Sequence, residues 1–393
     1  MTVTVTGTVA PGFEAVADTF RAAFANDTMG AALCVYLHGV PVIDLWGGLA
    51  DARRGRPWTE DTIGVIFSST KGLMSVLAAK LVEDGRLDYD APVTRYWPEF
   101  GAAGKGDVRV RHLLNHQAGL SAPRVDLSLD DIIDWSRVTS ILAGQEPLWP
   151  LGTGYAYHAI THGWLVGELV RRVTGKPVGM AFRDVIAGPL DADVWIGLPD
   201  SEQARVTHLV VAESLSSQAA ATEPDWLERA MTLGGALPAT LVEPDRGFND
   251  PRLWSAEIPG AGGIASARGL ARIWSATVWP TGGVKLLRPE TVRLATTEQT
   301  AGAPIFEVPP PWPRWGMGLQ LDSEARRYLT PEGFGHDGAG GQVAFAEPEL
   351  GVGFAYVTNL MEGVGDMRAT SIVDALRASS PIATSAATYA AID

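Results

Sequence analysis

The strongest constraint on this chain is that strand-like hairpins stand near both of its ends while helical patterns fill its middle. Residues 31–37 and 42–48 are β-rich runs on either side of His38-Gly39-Val40-Pro41, and 343–346 and 352–357 flank Glu347-Pro348-Glu349-Leu350-Gly351 in the same manner. Glycine and proline make the reversals easy, so each pair reads as a hairpin. A lone hairpin is marginal in water, which predicts that the two share one antiparallel sheet. Between them, helical segments are expected at 71–84, 128–143, 158–174 and 225–233, joined by loops containing proline and glycine. Two further helices are expected beside the hairpins: one over 12–25, with Phe13, Val16, Phe20 and Phe24 on one face, and one over 365–378. The implied class is α/β (α+β). An α/β lobe comes from both termini, 1–66 and 250–393, and is interrupted by a mostly helical lobe, 67–249. A cleft between lobes is a usual place for a ligand.

Composition narrows the function. At 393 residues, with 46% apolar and 19% charged, the chain can bury a sizeable core. A formal net charge of −14 repels phosphate backbones and anionic membrane surfaces, and no basic run relieves it, so neither nucleic acid nor membrane is an expected partner. The stretch from Met1 to Pro11 has no basic or continuous apolar region, and no later run approaches a membrane span; a cytoplasmic location is the expectation. The single cysteine, Cys34, lies in the apolar run 31–37 and reads as a buried structural thiol. Homo-oligomeric assembly stays open.

The sharpest local feature is Phe67-Ser68-Ser69-Thr70-Lys71-Gly72, followed by Leu73, Met74, Val76, Leu77, Leu81 and Val82 at helical spacing. Ser68 falls at the helix start, where unpaired amides and the macrodipole favour developing negative charge. Lys71, one turn on, shares its face, and burial would lower its pKa and make it a base. On spacing alone, a capping serine and a surface lysine are the better reading, because one Ser-x-x-Lys among five lysines is unsurprising.

The flanks add to that reading. The tetrad from Ser68 to Lys71 resembles the Ser-x-x-Lys motif of serine β-lactamases, penicillin-binding proteins and family VIII carboxylesterases. Gly85-Arg86-Leu87-Asp88-Tyr89-Asp90-Ala91-Pro92-Val93 and Val110-Arg111-His112-Leu113-Leu114-Asn115-His116-Gln117-Ala118-Gly119-Leu120 are similar to further stretches of that family. The resemblance implies a β-lactamase/transpeptidase-like fold with Ser68 as nucleophile. In Gly152-Thr153-Gly154-Tyr155-Ala156-Tyr157-His158-Ala159, Tyr157 matches the tyrosine of the family's Tyr-x-Asn motif, which implies a phenol, partly phenolate beside the lysine, that moves protons. Tyr155 is the competing assignment. Gly335-His336-Asp337-Gly338-Ala339-Gly340-Gly341 resembles the Lys-Thr-Gly motif, with His336 in the lysine position. By that match Gly338 lets the backbone approach a bound acyl group, and the amides of Ser68 and Ala339 form an oxyanion hole.

Two departures bear on the substrate. Ala159 replaces the asparagine that β-lactamases and peptidases usually carry, and His336 removes a fixed cation. Uncharged small to medium esters are therefore expected, hydrolysed through a Ser68 acyl-enzyme. The alternatives are a transacylase, or an amide hydrolase of β-lactamase type, through the same intermediate, and a non-catalytic binding module. His158 and Trp315 are further candidate substrate contacts, the latter in the proline-rich segment 299–315, which reads either as an acyl-pocket wall or as a loop pinned by its tryptophans. His112 and His116 have a spacing that zinc enzymes use, yet no glutamate follows His112 and no third ligand is marked, so they read as structural. No metal and no cofactor is expected.

Overall fold

The computed structural model describes residues 3–24, 29–220 and 225–389. Among them, the largest sheet runs in the order Val5–Val9, Val40–Asp51, Gly30–Leu37, Val352–Thr358, Val343–Glu347, Phe334–Gly335, Gln320–Leu321 and Arg314–Trp315, antiparallel throughout, with Arg56–Pro57 against Val40–Asp51. The two terminal hairpins thus meet directly, Leu33 opposite Tyr356 and Val35 opposite Phe354. The first reversal is tighter than expected. His38 and Gly39, at φ 48° and 78°, make a two-residue turn, and Val40 and Pro41 already belong to the strand.

Both faces of this sheet are covered, which explains the unbroken apolar run at 31–37. Leu33 and Val35 point toward helices Glu14–Ala22 and Arg368–Arg377, packing with Phe13, Val16, Phe20, Ile372 and Val373. Cys34, Ala355 and Val357 point the other way, into a cluster with Leu270, Ile273 and Trp274 of helix Ala267–Val278. Cys34 is fully buried, as expected. The helix Ala267–Val278 was not among the expected elements; Ser266 caps it by accepting from the Gly269 amide at 3.1 Å. The same apolar cluster continues through Leu73, Met74 and Leu77 to Trp164 and Leu165 in the helical middle.

The middle departs from expectation in detail. The segment 128–143 is two helices, Leu129–Ile133 and Trp135–Gly144, because Asp134 leaves helical geometry and its carboxylate accepts from the Arg137 amide at 3.1 Å, starting a new helix. The helix expected from 158 begins at Thr161 and ends at Gly175 in the left-handed conformation. The expected 225–233 helix is Trp226–Thr232, and the one expected over 365–378 is Arg368–Arg377. The first helix ends at Ala22; position 25 lies outside the described residues. Among the described residues no helix is long and apolar enough to cross a membrane.

Candidate active site

A small antiparallel sheet delivers Ser68. Strand Gly64–Val65 pairs with Gly263–Ala265, and the Ile66 amide donates to Gly263 O at 2.9 Å. Phe67 then takes φ +43°, a conformation that costs a non-glycine residue about 1–3 kcal/mol unless its surroundings enforce it. They do: its ring packs edge-on against Phe248 at 5.3 Å, and its carbonyl accepts from Thr70 Oγ1 at 2.5 Å, while Thr70 Oγ1 accepts from the Gly263 amide at 2.9 Å. The bend sets Ser68, half-buried, as the residue before helix Ser69–Glu83. Among the described residues no group accepts from its amide.

Lys71 is fully buried, with Nζ 3.0 Å from Ser68 Oγ and donating to Gly260 O at 2.6 Å. Among the described residues no carboxylate pairs with it, so burial alone pushes its pKa well below the ordinary lysine value. A neutral amine donates one N–H to Gly260 and keeps its lone pair for the serine hydroxyl. The surface-lysine reading is excluded by this geometry.

Tyr157 completes the group. Its hydroxyl is hydrogen-bonded to Ser68, its ring lies 4.9 Å from Lys71 Nζ, and it stacks on Trp315 at 5.4 Å with 18° between planes. Burial pushes the phenol pKa up, so the expectation of partial phenolate is corrected: with a neutral lysine beside it, the hydrogen bond with Ser68 only partly offsets the desolvation of a phenolate. Tyr155 turns elsewhere, donating to Gly302 O at 2.7 Å. Trp315 is buried against Tyr157, whereas Trp312 bonds its own loop at Val308 O.

The segment after Gly335 closes the other side. Ser69 Oγ donates to His336 O at 2.8 Å, tying the helix to it. At Gly338 a Cβ would lie 2.3 Å from Ile66 O, so only glycine permits this approach to the serine loop. Ala339 follows, half-buried, its amide without an acceptor among the described residues. His336 is buried, and its pKa is pushed down to about 3 by burial and then by Lys71; Nδ1–H donates to Asp337 O at 2.7 Å. It therefore carries no charge. The Asp337 carboxylate accepts from Arg326 Nε at 2.5 Å, and Arg326 Nη1 reaches Thr370 Oγ1 at 3.0 Å.

His158 is corrected as a substrate contact. It is fully buried, Nδ1–H donates to Ala156 O at 2.8 Å, and Nε2 accepts from the Leu120 amide at 3.1 Å, which leaves no free ring nitrogen. His112 caps its own helix through the Arg109 amide at 3.0 Å, while His116 is fully buried with its ring against Tyr157 and Trp315. Among the described residues no group of three His, Cys, Asp or Glu could hold a metal ion. Sequence reasoning missed Gly260, Ser69 and Arg326. A backbone carbonyl leaves no signature, and the other two act across 267 and 11 residues.

The family model described as Beta-lactamase matches residues 15–379. The chain is 36% identical over 368 residues to the esterase/beta-lactamase LipL of Mycobacterium tuberculosis, covering 90% of this chain and 82% of that protein. It is similar to the crystal structure of a family VIII carboxylesterase at 36% identity and TM-score 0.85, covering 95% of this chain and 98% of the other. It is likewise similar to a penicillin-binding protein homolog from Caulobacter crescentus at 37% identity and TM-score 0.84, covering 95% and 99%.

Proposed function

The chain belongs to the beta-lactamase family, and on that premise we propose that it is a serine carboxylesterase in which Ser68, Lys71 and Tyr157 carry the chemistry. The observation that carries this reading is a fully buried lysine, without a carboxylate partner among the described residues, 3.0 Å from the hydroxyl of a helix-start serine. Neutral Lys71 takes the proton of Ser68 as Oγ attacks the ester carbonyl. The oxyanion accepts from the amides of Ser68 and Ala339, each such donor worth about 3–4 kcal/mol. When the carbon–oxygen bond breaks, Tyr157 hands its proton to the departing alkoxide and is reprotonated by Lys71. Water then attacks the acyl-enzyme by the same route and releases the acid.

Uncharged small to medium esters suit this site. His336 is neutral, and Arg326 is held by Asp337, so neither offers a cation to a substrate carboxylate. Ala159 is buried and supplies no side-chain amide. Turnover of a β-lactam such as nitrocefin should fall at least about a hundredfold below that of a short acyl ester, a gap the size of one well-placed catalytic contact.

The test is covalent. A fluorophosphonate should label the wild type and not Ser68→Ala, with ester hydrolysis lost in parallel; labelling that survives the substitution overturns the assignment. Tyr157→Phe should lower kcat on the order of a hundredfold while the protein stays folded. An unchanged rate would remove Tyr157 from the proton path.

A further inference from the structure

Tyr157 belongs to no regular element. It precedes helix Thr161–Thr174 in an irregular segment, so its position must come from bonds made to the segment itself. Two of those bonds end on one residue. The Ala156 amide donates to His116 O at 3.3 Å, and the His158 amide donates to His116 Nδ1 at 3.2 Å, so His116 holds the backbone on both sides of the phenol. Its ring also stands edge-on to Tyr157 at 4.9 Å and to Trp315 at 4.9 Å.

The chemistry of this grip is specific. Nδ1 accepts a hydrogen bond, so the ring proton is on Nε2, which is buried and has no partner among the described residues. The groups that face the ring are His158 and His162 from the following segment, Lys71 from the serine helix and His336 from the segment after strand Phe334–Gly335. Each disfavours a charge on His116, and burial does so first. His116 also adopts φ +67°, a left-handed conformation that asparagine tolerates better than most side chains.

We propose that His116 is a positioning residue for the reaction: as a neutral Nε2–H imidazole it clamps residues 156–158 so that the Tyr157 hydroxyl meets Ser68. The inference rests on the proton-handling role proposed for Tyr157. It predicts that the acceptor at Nδ1, rather than the bulk of the ring, is what the site requires. Asparagine places an amide oxygen near the Nδ1 position and suits the backbone; glutamine places its amide near Nε2 and leaves the His158 amide unpaired.

The experiment compares His116→Asn, His116→Gln and His116→Phe in the wild type and in Tyr157→Phe, reading kcat and KM separately for a short acyl ester. His116→Asn should stay within about threefold of wild-type kcat, whereas His116→Gln and His116→Phe should each lose on the order of tenfold to a hundredfold in kcat, with KM changed less than about twofold. In Tyr157→Phe the same substitutions should cost less than about twofold, because groups that act as a unit are not additive. Equal losses in both backgrounds, or an asparagine variant as damaged as the glutamine variant, overturn the proposal. Should His116→Phe fail to fold, the asparagine and glutamine pair decides it. If Tyr157→Phe alone leaves the rate unchanged, the reading of Tyr157 fails; if it loses rate while His116→Gln does not, only the clamp fails.

Discussion

Lys71 and Lys105 are two lysines of one chain placed in closely similar surroundings. Both residues are fully buried, both donate to backbone carbonyls, both lie over an aromatic ring, Tyr157 at 4.9 Å and Phe100 at 5.5 Å, and burial pushes both pKa values down. The difference is in the partners. Lys105 gives its protons to two carbonyls, Ala102 O at 2.8 Å and Gln145 O at 2.5 Å, and Glu146 nearby favours its charge. Among the described residues Lys71 has one carbonyl, one hydroxyl and no carboxylate. Carbonyls only accept, so neither neighbour of Lys105 could donate to the lone pair of a neutral amine, whereas the Ser68 hydroxyl beside Lys71 can. Burial alone does not make a base of a lysine.

The largest effect that would break this contrast is at Lys71. Lys71→Ala should lower kcat/KM by about a thousandfold or more with the fold intact, as measured by ester turnover beside a thermal melt. Lys71→Arg should fall as far, because a guanidinium keeps the charge but does not give up its proton in proteins. An arginine variant with substantial activity would mean that the site needs a cation, not a base.

Next in size is the pH dependence. The folded-state pKa of Lys71 lies below the ordinary 10.5, so between those two values the native chain binds fewer protons than the unfolded one, and the amine is neutral. Native stability from this group therefore rises with pH across that window, and activity falls as acidification carries pH down through the depressed value. The acid limb of kcat/KM should approach about tenfold per pH unit if one proton on Lys71 controls it. Lys105→Met should leave that limb in place.

The smallest effect is on stability. Lys105→Met leaves two carbonyls without their donor and should lower unfolding free energy by about 1–3 kcal/mol in urea titrations, with kcat/KM per folded molecule unchanged within about twofold. A loss of turnover there would erase the distinction between the two lysines.

What the residues revealed in advance follows the range of the contacts. Ser68 and Lys71 are one helical turn apart, so their meeting is a local fact that spacing exposes. The hairpins at 31–48 and 343–357 were legible for the same reason, and their shared sheet followed from the instability of either alone. The break at Asp134 was legible in principle, as an acidic capping residue inside an otherwise helical run. Gly260 and the Arg326–Asp337 pair were not, since a carbonyl 189 residues from Lys71 carries no side-chain mark and an ion pair between loops has no period. His158 was misplaced because adjacency to Tyr157 says nothing about which way a ring turns outside a regular element.

The hydrogen bond from Ser69 Oγ to His336 O has a mechanical meaning for how such a site diversifies. It rivets the piece of chain bearing one proposed oxyanion donor, the Ser68 amide, to the piece bearing the other, the Ala339 amide, so that their spacing does not depend on the loops around them. Segments such as the irregular stretch 301–313 are then free to vary in length and composition, and the range of esters admitted can drift, while the spacing of the two amides stays as it was.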